Sequence, residues 1–465
     1  MSQSTIDQLT SALGAAQVAV DDASREARRH DYWMVSHVRD LVGTPAGKPL
    51  CVVRPRNVAE VQTTLRIANA TATPVVPFGL GSGVVGGVIP GPEAILLDMG
   101  AMTRTRFIDE TNLLASFDAG RMGLSAEEEV ATHGLTIGHW PQSVAISTVG
   151  GWVATRASGQ FSSAYGNIED IIYSIEAVLP TGELVTLGRG PRAAAGPDLR
   201  HILMGSEGTM GVITGVTFSL RRNPEARALS CFEAPNMQAG FDLQWAIIQA
   251  GWRPPVVRQY DERESRRLDG RAKACLILML HEGPAALVEV ETKAVAALAE
   301  AAEIPTAPTD IVSNWLDHRN HVPSWDQLTS RNIVADTVEI SATWDRIGLV
   351  YADAVKSLAE VPGLMAGSAH SSHVYRSGLN LYFTFAVMTD GPAAMEATYM
   401  DCWRRILEAT DKNGGGLAHH HGVGRVRSAW LPRELGDGGM ALLRTIKAAV
   451  DPKGIMNPGA LLPDA

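Results

Sequence analysis

The most constraining feature of this chain is a glycine run that follows a strand but leads into no helix. Pro74-Val75-Val76-Pro77-Phe78 reads as a short strand, and the glycine-rich loop runs from Gly79 to Gly91. Inside it, Gly81-Ser82-Gly83-Val84-Val85-Gly86 spells G-x-G-x-x-G. A doubly wound dinucleotide site needs a helix to start within that motif, so that the helix N-terminus faces the pyrophosphate. Here Gly87-Val88-Ile89-Pro90-Gly91-Pro92 follows, which cannot form a first helical turn. The doubly wound fold is therefore set aside. A glycine run without a helix still presents backbone N–H groups with little steric hindrance, and these can wrap a pyrophosphate as a nest of amides.

Two further segments share this character. One is Pro141 to Gly159, with Ser147-Thr148-Val149-Gly150-Gly151-Trp152-Val153-Ala154-Thr155-Arg156-Ala157-Ser158 at its centre, followed by Tyr165-Gly166-Asn167-Ile168-Glu169-Asp170. The other is Gly205-Ser206-Glu207-Gly208-Thr209-Met210-Gly211-Val212-Ile213. Small residues let backbone approach a flat ring system, and hydroxyls and amides supply the few polar contacts that orient it.

Charge narrows the possible partners. With 40 basic and 50 acidic residues the net charge is −10, and no basic face suits nucleic acid. Four cysteines (Cys51, Cys231, Cys275, Cys402) stand far apart, without a CxxC, so neither a disulfide framework nor a zinc knuckle is indicated. No secretory signal, long apolar span or S-K-L terminus is visible, and a reducing, cytoplasmic setting is expected.

The 465 residues read as α+β, with an N-terminal helical segment at 1–45. An α/β unit follows, with Asn57 as N-cap of a helix over 58–70 and a hairpin turn at Thr181-Gly182. After a boundary near Pro224, residues 225–415 alternate strand-like runs with alanine-rich helices, and 416–465 return to glycine-rich sequence.

That last segment opens on Gly414-Gly415-Gly416-Leu417-Ala418-His419-His420-His421-Gly422-Val423-Gly424. In an extended chain His419 and His421 share one face and His420 takes the other. Three readings stand side by side. The cluster is a solvated loop, or a metal site joined by His370 and His373, or a centre of proton transfer and anion binding.

The three glycine-rich segments, in this order, resemble the FAD-binding domain of the vanillyl-alcohol oxidase / p-cresol methylhydroxylase superfamily. The resemblance covers about 46–224 and the tail Asp451-Pro452-Lys453-Gly454-Ile455-Met456-Asn457-Pro458-Gly459. The runs Ser147–Gly159 and Tyr165–Asp170, with the triple histidine, are most similar to the alkyldihydroxyacetonephosphate synthase subgroup. The resemblance implies a two-part FAD-binding domain at 46–224, a substrate (cap) domain at 225–415 with an antiparallel sheet and flanking helices, and a C-terminal segment at 416–465 that returns to the cofactor. It also implies FAD contacts from Pro77, Phe78, Gly79, Leu80, Gly81, Ser82, Gly83 and Val84 in the first loop. The second stretch would add Pro141, Ser147, Thr148, Gly150, Gly151, Ala154, Thr155, Ala157, Ser158, Gly159, Tyr165 and Gly166. Glu207, Gly208, Gly211, Val212, Ile213 and Asn457 would complete the set. Some relatives attach FAD covalently through a histidine in or near the first loop. Phe78–Pro90 has no His, Cys or Tyr, so non-covalent FAD is expected.

The same resemblance places a tyrosine, a triple histidine and an arginine at the reacting end. In this chain these are Tyr382, His419, His420, His421 and Arg319, the arginine as an anion clamp. Metal-dependent D-2-hydroxy-acid dehydrogenases of the superfamily carry Glu where this chain has His420, and their histidine motif is replaced by His370-Ser371-Ser372-His373, so no metal is expected. Two chemistries remain open. One oxidises a small hydroxylated, anionic substrate by hydride transfer to flavin N5, with O2 or another acceptor taking the electrons. The other exchanges acyl for alkyl on dihydroxyacetone phosphate through a flavin N5 adduct, with a lipid-like substrate. A homodimer is a further expectation.

Overall fold

A computed structural model describes residues 2–322 and 324–463. Three main sheets organise it. The first has the order β1-β2-β4-β3 and contains β1 (Val18–Ala19), β2 (Cys51–Val53), β3 (Val75–Phe78) and β4 (Ile95–Asp98). β2 and β3 both run parallel to β4, and the crossover between them is the helix Val58–Thr71. Asn57 caps this helix as expected, its side chain accepting from Glu60 N at 3.0 Å.

The second sheet is antiparallel. It is built from β5 (Thr105–Asp109) and β6 (Leu114–Asp118), and, after the two-residue β7 (Leu135–Thr136), from β8 (Ile172–Val178), β9 (Leu184–Leu187) and β10 (Val212–Ser219). β8 and β9 form the hairpin read at Thr181-Gly182. β11 (Arg221–Arg222) pairs back onto β7.

The third sheet has six strands in the order β12-β14-β13-β16-β17-β15. They are β12 (Ala226–Ala234), β13 (Val256–Tyr260), β14 (Cys275–Gly283), β15 (Ile333–Thr343), β16 (Leu364–Ser371) and β17 (Gly378–Met388). Every pairing in it is antiparallel. Alternation gives each strand two faces. Leu381, Phe383, Phe385 and Val387 of β17 are buried with Tyr399, Trp403 and Ile406 of the helix Pro392–Lys412 and with the helix Ile347–Leu358. Tyr382, Thr384 and Ala386 point the other way, into a large cavity.

Three readings are corrected here. The first 45 residues are not evenly helical; the helices Ser2–Leu13, Asp22–Glu26 and Met34–Leu41 are separated by the short strand β1 and irregular chain. The second glycine-rich stretch, read as loop, contains the helix Val149–Thr155, because Thr148 caps it by accepting from Gly151 N at 3.1 Å. The C-terminal segment carries helical structure over Leu431–Val450, broken by a kink where Gly436 takes φ 64°, and its glycines Gly436, Gly438 and Gly439 hid its period.

Candidate active site

The cavity between the second and third sheets has a volume of about 1230 Å³. One wall is made by the three glycine-rich segments. β3 delivers Pro77 and Phe78 to it, and the chain then turns with Gly81 at φ 70° and Gly86 at φ 73°. A Cβ at Gly86 would stand 2.7 Å from the Trp33 ring. The N-terminal segment clips this loop in place. Asp31 N donates to Val88 O at 3.0 Å, Tyr32 N donates to Gly83 O at 2.8 Å, and Val88 N donates to Asp31 Oδ2 at 3.2 Å.

Of the residues expected to hold FAD, Pro77, Phe78, Gly79, Leu80, Gly81, Ser82, Gly83 and Val84 line the cavity, as do Pro141, Ser147, Thr148, Gly150, Gly151, Ala154, Thr155, Ala157 and Ser158. Glu207, Gly208, Gly211, Val212 and Ile213 line it too. Four others stand behind the wall. Gly159 is pressed against Trp140, whose N would lie 2.6 Å from a Cβ there. The Tyr165 hydroxyl turns away to donate to Glu282 at 2.5 Å, and Gly166 ends its short helix at φ 85°. Asn457 supports the loop instead, its Nδ2 donating to Gly87 O at 2.9 Å and Glu207 O at 2.6 Å.

This wall fits FAD. Cβ atoms at Gly79 and Gly83 would stand 2.7 Å from Thr148 Oγ1 and 3.2 Å from Asp31 Oδ2, so the cradle depends on their absence. The N–H-rich loop suits a pyrophosphate, and the volume exceeds the 300–1,000 Å³ or so of a small-ligand pocket, as a shared cofactor and substrate space requires.

The opposite wall is a row of side chains laid across four strands. Register makes Tyr260 (β13) the neighbour of His370 (β16), His370 that of Tyr382 (β17), and Tyr382 that of Glu339 (β15). The rings stack. Tyr260 and His370 centroids are 5.2 Å apart, and His370 and Tyr382 centroids 4.7 Å apart with planes 12° from parallel. His370 Nδ1 lies 2.7 Å from Glu264 Oε2.

Glu339 organises the triple histidine. Its Oε1 accepts the backbone N–H groups of His419, His420 and His421 at 3.4, 3.2 and 2.8 Å, and its Oε2 takes Arg427 Nη2. His421 Nδ1 lies 3.0 Å from the same Oε2. The histidines are therefore wrapped around a buried carboxylate, not extended. His420 and His421 line the cavity, while His419 packs behind against His373 and Tyr375. The Tyr382 hydroxyl meets His420 Nε2 at 2.6 Å.

Three guanidiniums also reach the cavity; Arg267 is paired with Glu264 at 3.1 Å, and two others stand apart. Arg319 lies 5.9 Å from the Trp140 and Phe161 ring centroids. Arg258, 9% exposed, donates through Nε to the Tyr260 hydroxyl at 2.9 Å and lies 5.0 Å from the Trp315 ring. Among the described residues neither has a carboxylate within ion-pair distance.

Burial and neighbours set the charge states. Burial holds His419 down at about 4 and His420 well below its ordinary value, so both are neutral imidazoles near pH 7. Burial also pushes the Tyr382 hydroxyl up, which keeps its proton in place. Burial opposes the charge of Glu339, but Arg427 and then His421 outweigh it and hold the carboxyl well below the usual range. Glu264 follows the same logic through His370, down to about 2. On the other wall burial wins, and Asp31 and Glu207 are both pushed up to about 7.

One ring nitrogen each of His373, His419 and His420 lies within 4.8 Å of the others, close enough for one cation, although His420 already spends both of its nitrogens on Tyr382 and His419. The sequence reading missed Arg258, Tyr260, Glu264, Glu339 and Asp31. None has a local motif; each is brought in by strand register or by the N-terminal clip.

Fold and site together define a flavin enzyme with a two-part cofactor domain and a cap. Residues 49–188 match the family model of the FAD binding domain, and residues 223–461 match that of the C-terminal domain of FAD linked oxidases. The chain belongs to the FAD-linked oxidases, and FAD is its cofactor. The FAD-linked oxidoreductase YgcU of Escherichia coli (strain K12) is 30% identical, with 98% of each chain covered. The alkyldihydroxyacetonephosphate synthase of Trypanosoma brucei brucei is also 30% identical, over 99% of this chain and 81% of its own. A solved alkyldihydroxyacetonephosphate synthase superposes with a TM-score of 0.83 at 25% identity, covering 98% of this chain and 85% of its own. No helix among the described residues is long and apolar enough to cross a membrane.

Proposed function

We propose that this enzyme oxidises a small hydroxylated, anionic substrate held between the cofactor and the row Tyr260-His370-Tyr382-Glu339. The observation that carries the reading is the 2.6 Å contact between Tyr382 Oη and His420 Nε2 at the cavity surface. A neutral imidazole behind a protonated phenol is a proton acceptor joined to a donor. Bound FAD supplies the hydride acceptor and passes the electrons to O2 or another acceptor.

In this reading Tyr382 takes the substrate hydroxyl proton as its own moves to His420 Nε2. Arg258 and Arg319 hold the anionic group, because their charge is otherwise unanswered and a guanidinium grips carboxylate or phosphate in a fork. Stacking on His370 fixes the Tyr382 ring, and Glu339 fixes the histidine loop. The roles of the residues behind the wall, Gly159, Tyr165, Gly166 and Asn457, are to shape it.

A second reading has one observation in its favour. Beyond the row the cavity continues along Ala335, Ala366 and Ala386, covered by Val322, Trp325 and Leu328. This limb accepts an alkyl or acyl chain, which fits the exchange of acyl for alkyl on a phosphorylated three-carbon ketone.

Anaerobic mixing of the yellow protein with hydroxy acids, alcohols and phenols separates the two. Bleaching of the flavin supports oxidation. No bleaching, together with exchange of label between acyl-dihydroxyacetone phosphate and a fatty alcohol, overturns it. Tyr382→Phe is expected to slow bleaching by about 10²–10⁴-fold while keeping bound FAD. Acid precipitation should release the flavin from the pellet, and dialysis against a chelator should leave bleaching unchanged.

A further inference from the structure

We propose that Tyr382, His420, His419 and Tyr375 form a single proton relay that carries the substrate's hydroxyl proton from the cavity to the surface at Asn167. The proposal rests on the oxidative reading, in which that proton must leave the site. Three contacts make the chain continuous. Tyr382 Oη meets His420 Nε2 at 2.6 Å, His420 Nδ1 meets His419 Nδ1 at 2.7 Å, and His419 Nε2 meets Tyr375 Oη at 2.6 Å. Tyr382 and His420 line the cavity; His419 and Tyr375 lie beyond it.

The outer end approaches solvent. Tyr375 is half-buried and is followed by the exposed Arg376 and Ser377. Asn167 Nδ2 donates to the Tyr375 hydroxyl at 3.1 Å, and that hydroxyl faces Asn167 Oδ1 at 3.4 Å, an oxygen that also accepts from the cavity-lining Ser158 at 2.6 Å; Asn167 N donates to Oδ2 of the exposed Asp170 at 2.9 Å.

Proton counting gives the chain a direction. A neutral imidazole has one N–H and one lone pair. Two imidazoles joined Nδ1 to Nδ1 share one proton on that bond, so the tautomer of one dictates the tautomer of the other. If Tyr382 donates to His420 Nε2, then His420 Nδ1–H donates to His419 Nδ1, and His419 Nε2–H donates to Tyr375. One shift along the chain moves a proton from the substrate oxygen to Tyr382, from Tyr382 to His420, from His420 to His419 and from His419 to the Tyr375 oxygen. The Tyr375 hydroxyl proton passes to water. The carbon-bound hydrogen departs separately with its electron pair. Burial keeps both imidazoles neutral, as the relay requires.

The test uses FAD-loaded protein with ¹⁵N in the histidine rings, compared with Tyr375→Phe. The relay requires the ring-nitrogen signals of His420 to change together with those of His419, although the substitution lies two hydrogen bonds from His420. Unchanged His420 signals overturn the proposal, whether or not any donor bleaches the flavin. With a donor that does bleach it, Tyr375→Phe should lower kcat about tenfold and leave KM unchanged, and imidazole buffer should restore the rate. An unchanged kcat overturns the relay, whereas coupled signals without any bleaching donor keep the hydrogen-bonded chain but remove the oxidative reading, and with it the substrate proton the chain was proposed to carry.

Discussion

The two walls of the cavity are made of different material and treat the carboxyls beside their reacting groups differently. The wall formed by Gly79–Gly91, Pro141–Ser158 and Glu207–Ile213 presents backbone and small side chains, and its buried carboxyls, Asp31 and Glu207, are pushed up to about 7. The cap wall presents rings and charges from four strands; beside the ring row its buried carboxyls Glu264 and Glu339 are held down by His370 and Arg427, while Asp336, further along β15, is pushed up by burial to about 6. A wall that receives a cofactor phosphate gains from carboxyls that stay neutral. A wall that orients a proton chain gains from fixed charge. The difference assigns recognition of the constant group to one side and chemistry to the other.

The largest expected effect breaks the cap wall alone. Glu339 accepts three loop N–H groups and pairs with Arg427, which is 2% exposed. Glu339→Gln leaves a buried guanidinium unpaired and should cost about 3–5 kcal/mol in a denaturant titration. Bleaching by substrate should fall with it, because the loop that carries His420 is released. The flavin-to-protein ratio of the folded fraction should stay near that of the parent. Loss of FAD from folded protein would show that the walls do not act separately.

The next effect reads the charge contrast directly. Asp31 and Glu207 carry folded pKa values above their ordinary 3.8 and 4.5, so the folded state binds more protons between about pH 4 and 7. Their contribution to stability is complete at low pH and is lost as pH rises through about 7, by up to about 1.4 kcal/mol per pH unit for each group. Glu264, held at about 2, behaves oppositely; its contribution is present above its unfolded value and is lost as pH falls toward 2. Asp31 and Glu207 therefore pull the Tm of flavin-free protein down between pH 5 and 7, against the buried neutral His419 and His420, which stabilise the fold as pH rises over the same range. Relative to the parent, the double variant Asp31→Asn, Glu207→Gln should give a more positive slope of Tm with pH in that window and leave the acid arm untouched. A slope unchanged by the double variant would assign that pull elsewhere.

The same contrast explains what could be read from the amino-acid order. The cofactor wall is lined by continuous runs rich in glycine, serine and threonine, and their small residues mark them. Strand β3, the Asn57-capped helix and the β8–β9 hairpin were equally legible, because caps and turns are local. The cap wall depends on which residue of β13 faces which residue of β16, and no local pattern encodes that. Tyr260, Arg258 and Glu339 therefore look like ordinary strand residues. His370 and His373 stood out by type, but the stack on Tyr382 needed the register. Family resemblance supplied Tyr382 and Arg319, and both reach the cavity. It also suggested Tyr165, Gly166, Gly159 and Asn457 as contacts; these do not line the cavity, and lying beside a lining segment in sequence, or in space as Asn457 does, does not distinguish lining from support.

The smallest expected effect tests whether the cofactor wall really works through its backbone. Thr148 lines the cavity, yet its hydroxyl is spent on the helix behind it, accepting from Gly151 N at 3.1 Å. If that cap is its role, Thr148→Ala should cost about 1 kcal/mol of stability. Thr148→Ser, which keeps the oxygen, should restore most of it. FAD affinity should then follow stability, falling a few-fold in the alanine variant and recovering in the serine variant, because the hydroxyl acts by holding the first turn of the helix, with Gly150 and Gly151, at the cavity wall. Parallel measurement of Tm and of FAD dissociation by fluorescence decides the matter. A large loss of affinity at unchanged Tm would make Thr148 a side-chain ligand, and the cofactor wall would then resemble the cap more than its glycines suggest.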